Sequence, residues 1–167
     1  MAEVRVPVIK PHGHSLEKDV DYKAGVISGL VGSAISALAV MFTTIGTDQD
    51  FFLLPKLTAV LALPVDVAEG ALGIIIGIVS LLILGVIFGL VFAGIHTLLT
   101  TSYSLISSIV LGLIYGFGLW FATFLILGPI AGSEIAERIG PEIALPAFLI
   151  LGLILGFYPG FRIPKES

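Results

Sequence analysis

The sequence predicts an all-α integral membrane protein, with four transmembrane helices in an antiparallel bundle and short interfacial helices in the two outer loops. The chain is 57% hydrophobic and only 12% charged, whereas an average soluble domain is about 25% charged. Residues 24–47, 70–133 and 143–161 contain no Asp, Glu, Lys or Arg. Since a membrane-spanning helix needs about 20 apolar residues, these stretches hold one, two and one spans.

The four spans lie between an N-terminal segment, 1–23, and a C-terminal tail, 162–167. We place them at about 24–46, 70–99, 103–128 and 143–161. The second is about 45 Å long at about 1.5 Å per residue, against about 30 Å of hydrocarbon. Its Ala71–Ile75 end is therefore expected in the headgroup layer. The short connection near Thr97–Ser104 predicts that the second and third spans form a tight antiparallel hairpin.

Small residues recur every four positions on each span, with Leu81 as the one gap in the second, which places them on one stripe of a helix. Such a stripe lets a second helix approach closely in a bilayer, so we predict that these residues form helix-packing faces. The faces hold the bundle together, or alternatively form a seam between copies of the chain or with another subunit. The stripes comprise Gly25, Gly29, Ser33 and Ala37; Gly73, Gly77, Gly85, Gly89 and Ala93; Ser104, Ser108, Gly112 and Gly116; and Gly152, Gly156 and Gly160.

The distribution of positive charge predicts the orientation. With four spans, both termini share one side, which carries six of the eight Lys and Arg residues: Arg5, Lys10, Lys18, Lys23, Arg162 and Lys165. The positive-inside rule then places both termini in the cytoplasm of a multi-pass plasma-membrane protein. Tyr22, Tyr103 and Tyr158 fall near the inner boundary, where interfacial aromatic residues are expected.

Both outer loops carry helix signals. Residues 51–64 are apolar but too short to span, and we expect a helix in the outer interface that Asp50 caps and Pro64 ends. In the second loop, 133–140 has a serine at its start, early acidic residues and a closing glycine, which predict another short helix.

Three short segments recur along the chain. Gly29–Gly32 resembles Gly112–Gly116, Leu84–Gly89 resembles Leu151–Gly156, and Ala-Leu-Pro occurs at both 62–64 and 144–146. If the similarity is genuine, each half is one helical hairpin and the halves are parallel repeats. The alternative is chance, because low-diversity apolar sequences imitate each other easily.

Candidate chemistry is sparse, and we expect no cofactor or metal. His96, near the inner end of the second span, is a candidate contact for a haem iron or a quinone; the alternative is an interfacial histidine hydrogen-bonded to nearby backbone. His12 and His14, with Glu17, form at most a weak metal-binding pattern in the N-terminal segment. Tyr115 and Trp120 either line a pocket or serve in packing.

No Asp, Glu, Lys or Arg lies buried inside a predicted span, which argues against ion-coupled transport. A passive pore lined by hydroxyls remains compatible with the sequence. No nucleophile–base or carboxylate pair is visible, so we expect no enzyme. The chain has no Cys, no Asn and one Gln, a composition that favours a thermophilic source.

Three segments carry a family resemblance: the acidic-then-apolar stretch Asp50–Leu57, the glycine-rich Gly85–Val91, and Gly112–Trp120, the last leading on to Gly128-Pro129. Over residues 24–132 the chain resembles small prokaryotic four-helix membrane proteins of unknown function, broadly similar to the YagU-like inner-membrane proteins. The resemblance implies a fold and no activity.

The sequence therefore predicts a non-catalytic structural or accessory subunit of a larger membrane complex, of which a respiratory complex is one candidate. Its expected partners are the lipid bilayer and either other membrane subunits or copies of itself, with no nucleic acid. The main alternative is a passive channel or carrier formed by a homo-oligomer. A haem- or quinone-contacting electron-transfer subunit is a third hypothesis that depends on His96 alone.

Overall fold

The computed structural model describes residues 20–45, 50–60, 62–99, 104–127 and 140–161 of the chain. Every regular element in these ranges is helical. The α-helices are α1 (Tyr22–Ile45), α2 (Leu53–Ala59), α3 (Val65–Ala68), α4 (Ala71–Leu99), α5 (Leu105–Phe121) and α6 (Pro141–Gly156). A π-helical segment, Ala122–Leu127, continues α5, and a 3-10 helix, Tyr158–Phe161, follows α6.

Three of these helices are long and apolar enough to cross a membrane: α1, α4, and α5 extended to Leu125. Helix α6 has 16 residues, about 24 Å at about 1.5 Å per residue, which is shorter than the roughly 30 Å hydrocarbon core. Large aliphatic side chains are exposed along α4 and α5. Such surfaces are costly in water and suited to lipid. The described helices are therefore those of a membrane protein.

The long helices pack in antiparallel pairs. Helix α1 packs against α4, α5 packs against α6, and α1 also packs against α6. Helices α4 and α5 run antiparallel, as predicted for the second and third spans, but the prediction that they pack tightly is wrong, because their backbones come close at few positions. The rings of Phe92 and Tyr115 meet between these two helices, with centroids 5.4 Å apart, and rings of this size hold the two backbones apart.

Helix α2 packs between the long helices at the end of α4 that lies away from Phe92. It packs along α4, and its buried Leu57 forms a cluster with Ala144 of α6 that includes Trp120 and Phe124. A short helix that was predicted to lie in the interface is thus wedged against three longer helices. The structure consequently has an α2 end and, at the other end of α4, a His96 end.

The first loop contains two short helices where the sequence predicted one over 51–64. Helix α2 ends at Ala59, and Pro64 does not end it but is the N-cap residue of α3. The reason is that proline, with its fixed φ and no N–H to donate, suits the start of a helix better than its interior. The helix predicted for 133–140 lies almost wholly outside the described residues.

Candidate functional site

Glycines bring α1 and α4 into backbone contact. A Cβ added at Gly29 would overlap the carbonyl oxygen of Gly85, and one added at Gly89 would overlap that of Gly25. A Cβ at Gly25 would lie 3.0 Å from the Cβ of Ala93. Any larger side chain at these positions would force the two helices apart.

The contact between α5 and α6 follows the same register. A Cβ added at Gly112 would overlap the carbonyl oxygen of Gly152, as one at Gly29 would overlap that of Gly85. A Cβ at Gly156 would lie 2.6 Å from the Cα of Ile109 and 2.9 Å from the Ser108 carbonyl oxygen. We call each of these two glycine-lined helix contacts a seam. Each α5 position in the second seam lies 83 residues after its α1 counterpart in the first, as Gly112 does after Gly29. Each α6 position lies 67 residues after its α4 counterpart, as Gly152 does after Gly85.

Gly116 belongs to this second seam as well. A Cβ placed there would overlap the Phe148 carbonyl oxygen and lie 3.0 Å from the Cα of Gly152. Ser104, predicted as a packing residue, is exposed at the N-cap of α5.

The first half of the α4 stripe faces the loop helices. A Cβ at Gly73 would overlap Ala68 of α3, and a Cβ at Gly77 would overlap Pro55 of α2. The stripe predicted from spacing therefore serves two purposes, since its later part contacts α1 and its earlier part seats α2 and α3. Four-residue spacing identifies a face of a helix but carries no information about which element covers it.

At the opposite end of α4, His96 is fully buried, with 0% of its surface exposed. Its Nε2 lies 2.6 Å from the Ser108 hydroxyl of α5, and that hydroxyl lies 3.1 Å from the Ser104 carbonyl oxygen. Since a carbonyl only accepts, both bonds form together when Ser108 donates to Ser104 and His96 donates through Nε2–H. In this tautomer, Nε2 has no lone pair to offer an iron atom.

Aromatic rings enclose the imidazole. The ring centroid of Tyr158 lies 5.1 Å from that of His96, and the ring centroid of Phe92 lies 5.9 Å away. A haem iron or quinone oxygen at Nε2 would have to displace the Ser108 hydroxyl and part these rings, so this nitrogen is not open to such a group. Within the described ranges there is no cluster of three metal-ligating side chains; His12, His14 and Glu17 lie outside them.

Tyr158 connects the 3-10 helix to the start of α1. Its hydroxyl accepts a hydrogen bond from the Asp21 N–H and lies within donating distance of the Asp21 carbonyl oxygen, both at 3.2 Å. Tyr158 does not face the lipid as an interfacial aromatic residue would, because its exposed fraction is 0%. Tyr22 is exposed, and Tyr103 lies outside the described residues. The role of Tyr158 was missed because a contact across 137 positions has no local signal.

Tyr115 and Trp120 bond to neighbouring helices. The Tyr115 hydroxyl donates to the Phe88 carbonyl oxygen of α4 at 3.2 Å, and the Trp120 indole N–H donates to the Pro141 carbonyl oxygen of α6 at 2.9 Å. Both aromatic side chains therefore serve in packing between helices, one of the two interpretations that the sequence left open.

A cavity of about 290 Å³ lies at the α2 end, between α2 and α3. Three charged side chains line it, Asp50, Lys56 and Glu69, together with five aliphatic ones, Leu53, Leu57, Val60, Val65 and Ala68. Lys56 forms an ion pair with Asp50. The hydrogen bond from Lys56, followed by that from the Phe52 N–H, lowers the pKa of Asp50 below its ordinary value.

Comparisons with known proteins add no family or fold: no protein-family model, curated protein or solved structure matches this chain. The resemblance to the YagU-like proteins stays a prediction.

Proposed function

We propose that this chain is a non-catalytic accessory subunit of a larger plasma-membrane complex, built as a four-span antiparallel bundle with both termini in the cytoplasm. The observation that carries the proposal is the way the described long helices meet. Glycine-to-backbone contacts close the seams between α1 and α4 and between α5 and α6. Helices packed at this distance suit a rigid scaffold better than a solute path.

Two further features support a scaffold. No Asp, Glu, Lys or Arg lies within 24–45, 71–99 or 105–127, and a site for a coupling ion at membrane depth usually needs such a group. The fourth span of the proposal comprises α6 and its 3-10 extension, because the apolar run 143–161 is long enough only when both are included.

Two glycines with open space beside them supply places for a partner helix. Gly118 on α5 is exposed, and a Cβ added there, or at Gly94 on α4, would meet nothing within 4 Å. Around Gly118 the surface consists of Ile114, Phe117 and Phe121, all exposed. A partner helix can approach a glycine in such an apolar surface more closely than the surrounding aliphatic and aromatic side chains would otherwise allow.

The test is extraction of native membranes in mild detergent, followed by native electrophoresis, mass spectrometry and an absorption spectrum of the same band. The proposal expects this chain to migrate with other membrane proteins. A colourless homo-oligomer would contradict it and make liposome flux assays the next step. Haem absorbance that disappears in His96→Ala would contradict both the proposal and the hydrogen bonding described for Nε2.

Gly118→Leu gives a sharper version of the same test. The substitution should leave the isolated chain folded, because space is open at that position, while weakening co-migration with partners. Gly94→Leu is the matched control on α4, and it shows whether any partner contact is confined to α5. Unchanged co-migration in both variants would place the partner surface elsewhere.

A further inference from the structure

The contacts that hold each pair of helices together differ from those that join the two pairs. We call α1 with α4 the first hairpin and α5 with α6 the second. Within each hairpin, glycines put backbone against backbone. A Cβ added at Gly29 would overlap the Gly85 carbonyl oxygen, and one added at Gly112 would overlap that of Gly152. Such close packing leaves the two helices little room to shift past each other, so each hairpin is a rigid unit.

The two hairpins meet through side chains. On one side α1 packs against α6, where a Cβ added at Gly32 would lie 2.9 Å from the Cδ1 atom of Leu151. On the other side, the backbones of α4 and α5 come close at few positions, and the rings of Phe92 and Tyr115 lie between them. The offset of 83 residues that relates the two seams also relates Gly32 to Tyr115. A glycine therefore lets α6 approach α1, whereas a tyrosine at the corresponding position of α5 holds α4 away.

Two hydrogen bonds cross the space between α4 and α5. His96 donates through Nε2 to the Ser108 hydroxyl at 2.6 Å, and the Tyr115 hydroxyl donates to the Phe88 carbonyl oxygen at 3.2 Å. In a bilayer, helices associate through packing and hydrogen bonds, because lipid tails are as apolar as the helix surfaces. Since the packing between α4 and α5 is sparse, these two bonds supply a large share of the attraction between the two helices.

We propose that the two hairpins are rigid halves that hinge about the α1–α6 contact, and that the hydrogen bonds of His96 and Tyr115 are a latch that keeps the α4–α5 side closed. Release of the latch separates α4 from α5 and lets lipid tails enter between them. Lipid tails then replace the lost contacts between the rings of Phe92 and Tyr115. His96 lies three residues before the end of α4, where headgroups and water can bond the released imidazole. The hinge requires no partner subunit, so it stands apart from the proposed function.

The test is double electron–electron resonance in nanodiscs, between spin labels on pairs of introduced cysteines. The chain contains no cysteine of its own, so each label lies only where it is placed. Ile87→Cys with Ile114→Cys measures the distance between α4 and α5, since both positions are exposed and lie at the level of the Tyr115 hydrogen bond. Val31→Cys with Ile83→Cys, also at exposed positions, is the reference pair within the first hairpin. We expect a second, longer distance for the first pair and a single distance for the reference pair.

Variants of the latch extend the test to an open state that is rare in the parent chain. Ser108→Ala removes one of the two bonds and should raise the ratio of the longer to the shorter distance about two- to tenfold, the effect of one hydrogen bond. Tyr115→Phe should raise the ratio in the same direction, and it tests the latch by itself if Ser108→Ala does not fold. Ser107→Ala is the matched control and should leave the ratio unchanged, because the exposed Ser107 hydroxyl bonds the Ser104 carbonyl oxygen of its own helix turn.

Three results would overturn the proposal. The first is the absence of a longer distance in the parent chain and in both latch variants. The second is an equal rise of the ratio in Ser107→Ala, and the third is an equally wide distribution of distances for the reference pair.

Discussion

At the scale of single residues, the hydroxyl groups of α1 differ in whether they are bonded. Ser28, Ser33, Thr43 and Thr44 each donate to a carbonyl one turn earlier. Ser36 is buried, with 8% of its surface exposed. Its hydroxyl has no hydrogen-bond partner among the described residues. A buried polar group without a partner destabilises a fold by about 1–3 kcal/mol.

Ser36→Ala should therefore raise the free energy of unfolding, by about 1 kcal/mol or more, measured by SDS-induced unfolding in mixed micelles. Ser28→Ala is the control, since it removes a hydroxyl that is bonded within its own helix, and we expect it to be neutral or slightly destabilising. A larger loss of stability for Ser36→Ala than for Ser28→Ala would show that the Ser36 hydroxyl is bonded after all.

Tyr158 should behave in the opposite way. Tyr158→Phe keeps the aromatic contacts with His96 and Phe92 but removes the hydroxyl that bonds the Asp21 backbone. We expect a loss of about 1–3 kcal/mol in the same unfolding assay, because the Asp21 N–H loses its partner. Tyr115→Phe is the matched control, and it should cost less, since the Phe88 carbonyl lies inside α4. Equal effects would mean that the Asp21 contact adds nothing to stability.

At the scale of elements, α2 packs against α4, and one ion pair joins its Lys56 to Asp50, just before its first turn. The pKa of Asp50 is lowered first by the hydrogen bond from Lys56. A group whose pKa is lowered by folding stabilises the fold above its ordinary value, about 4 for Asp, and loses that contribution as pH falls through the lowered value. The hold of this pair on the start of α2 should therefore weaken on acidification below about pH 4.

The chain contains one tryptophan, and it packs in the cluster around Leu57 of α2. Fluorescence of Trp120 between pH 6 and pH 2.5 should report the weakening as a red shift. Asp50→Asn should show the shifted emission already at pH 6, whereas Asp66→Asn should follow the parent chain. An emission maximum that does not move with pH, or that moves identically in Asp50→Asn and the parent, would contradict a role for the ion pair.

The elements also show how far local sequence reaches. The lengths of the stretches without charged residues predicted the long helices, because the bilayer requires each spanning helix to be apolar and of a certain length. The wedge of α2 against α4 and α6 was not predictable, since 51–64 reads the same whether it lies flat in the interface or packs against other helices. The same holds for the His96–Ser108 bond, because it depends on the distance between α4 and α5, and no residue pattern encodes that distance.

At the scale of the whole molecule, the two seams have one register. Leu82-Ile83-Leu84-Gly85 in α4 and Leu149-Ile150-Leu151-Gly152 in α6 are identical in sequence, and Gly85 and Gly152 face Gly29 and Gly112 in the same way. Chance similarity of apolar sequences accounts for the matching residues, whereas a duplication predicts both the matching residues and the matching glycine contacts. The third similarity, Ala-Leu-Pro at 62–64 and 144–146, is separated by 82 positions and does not follow the spacing of either seam.

If the two hairpins arose by duplication, they should respond alike to matched substitutions. Gly85→Ala and Gly152→Ala each place a Cβ against a facing helix backbone, and each should cost about 1–3 kcal/mol of unfolding free energy through overpacking. Gly118→Ala, where space is open, should instead be neutral or stabilising, because alanine favours a helix over glycine by about 1 kcal/mol. SDS-induced unfolding measures all three. If Gly85→Ala destabilised the chain and Gly152→Ala did not, the second seam would be looser than the first, and the shared register would no longer support two equivalent hairpins.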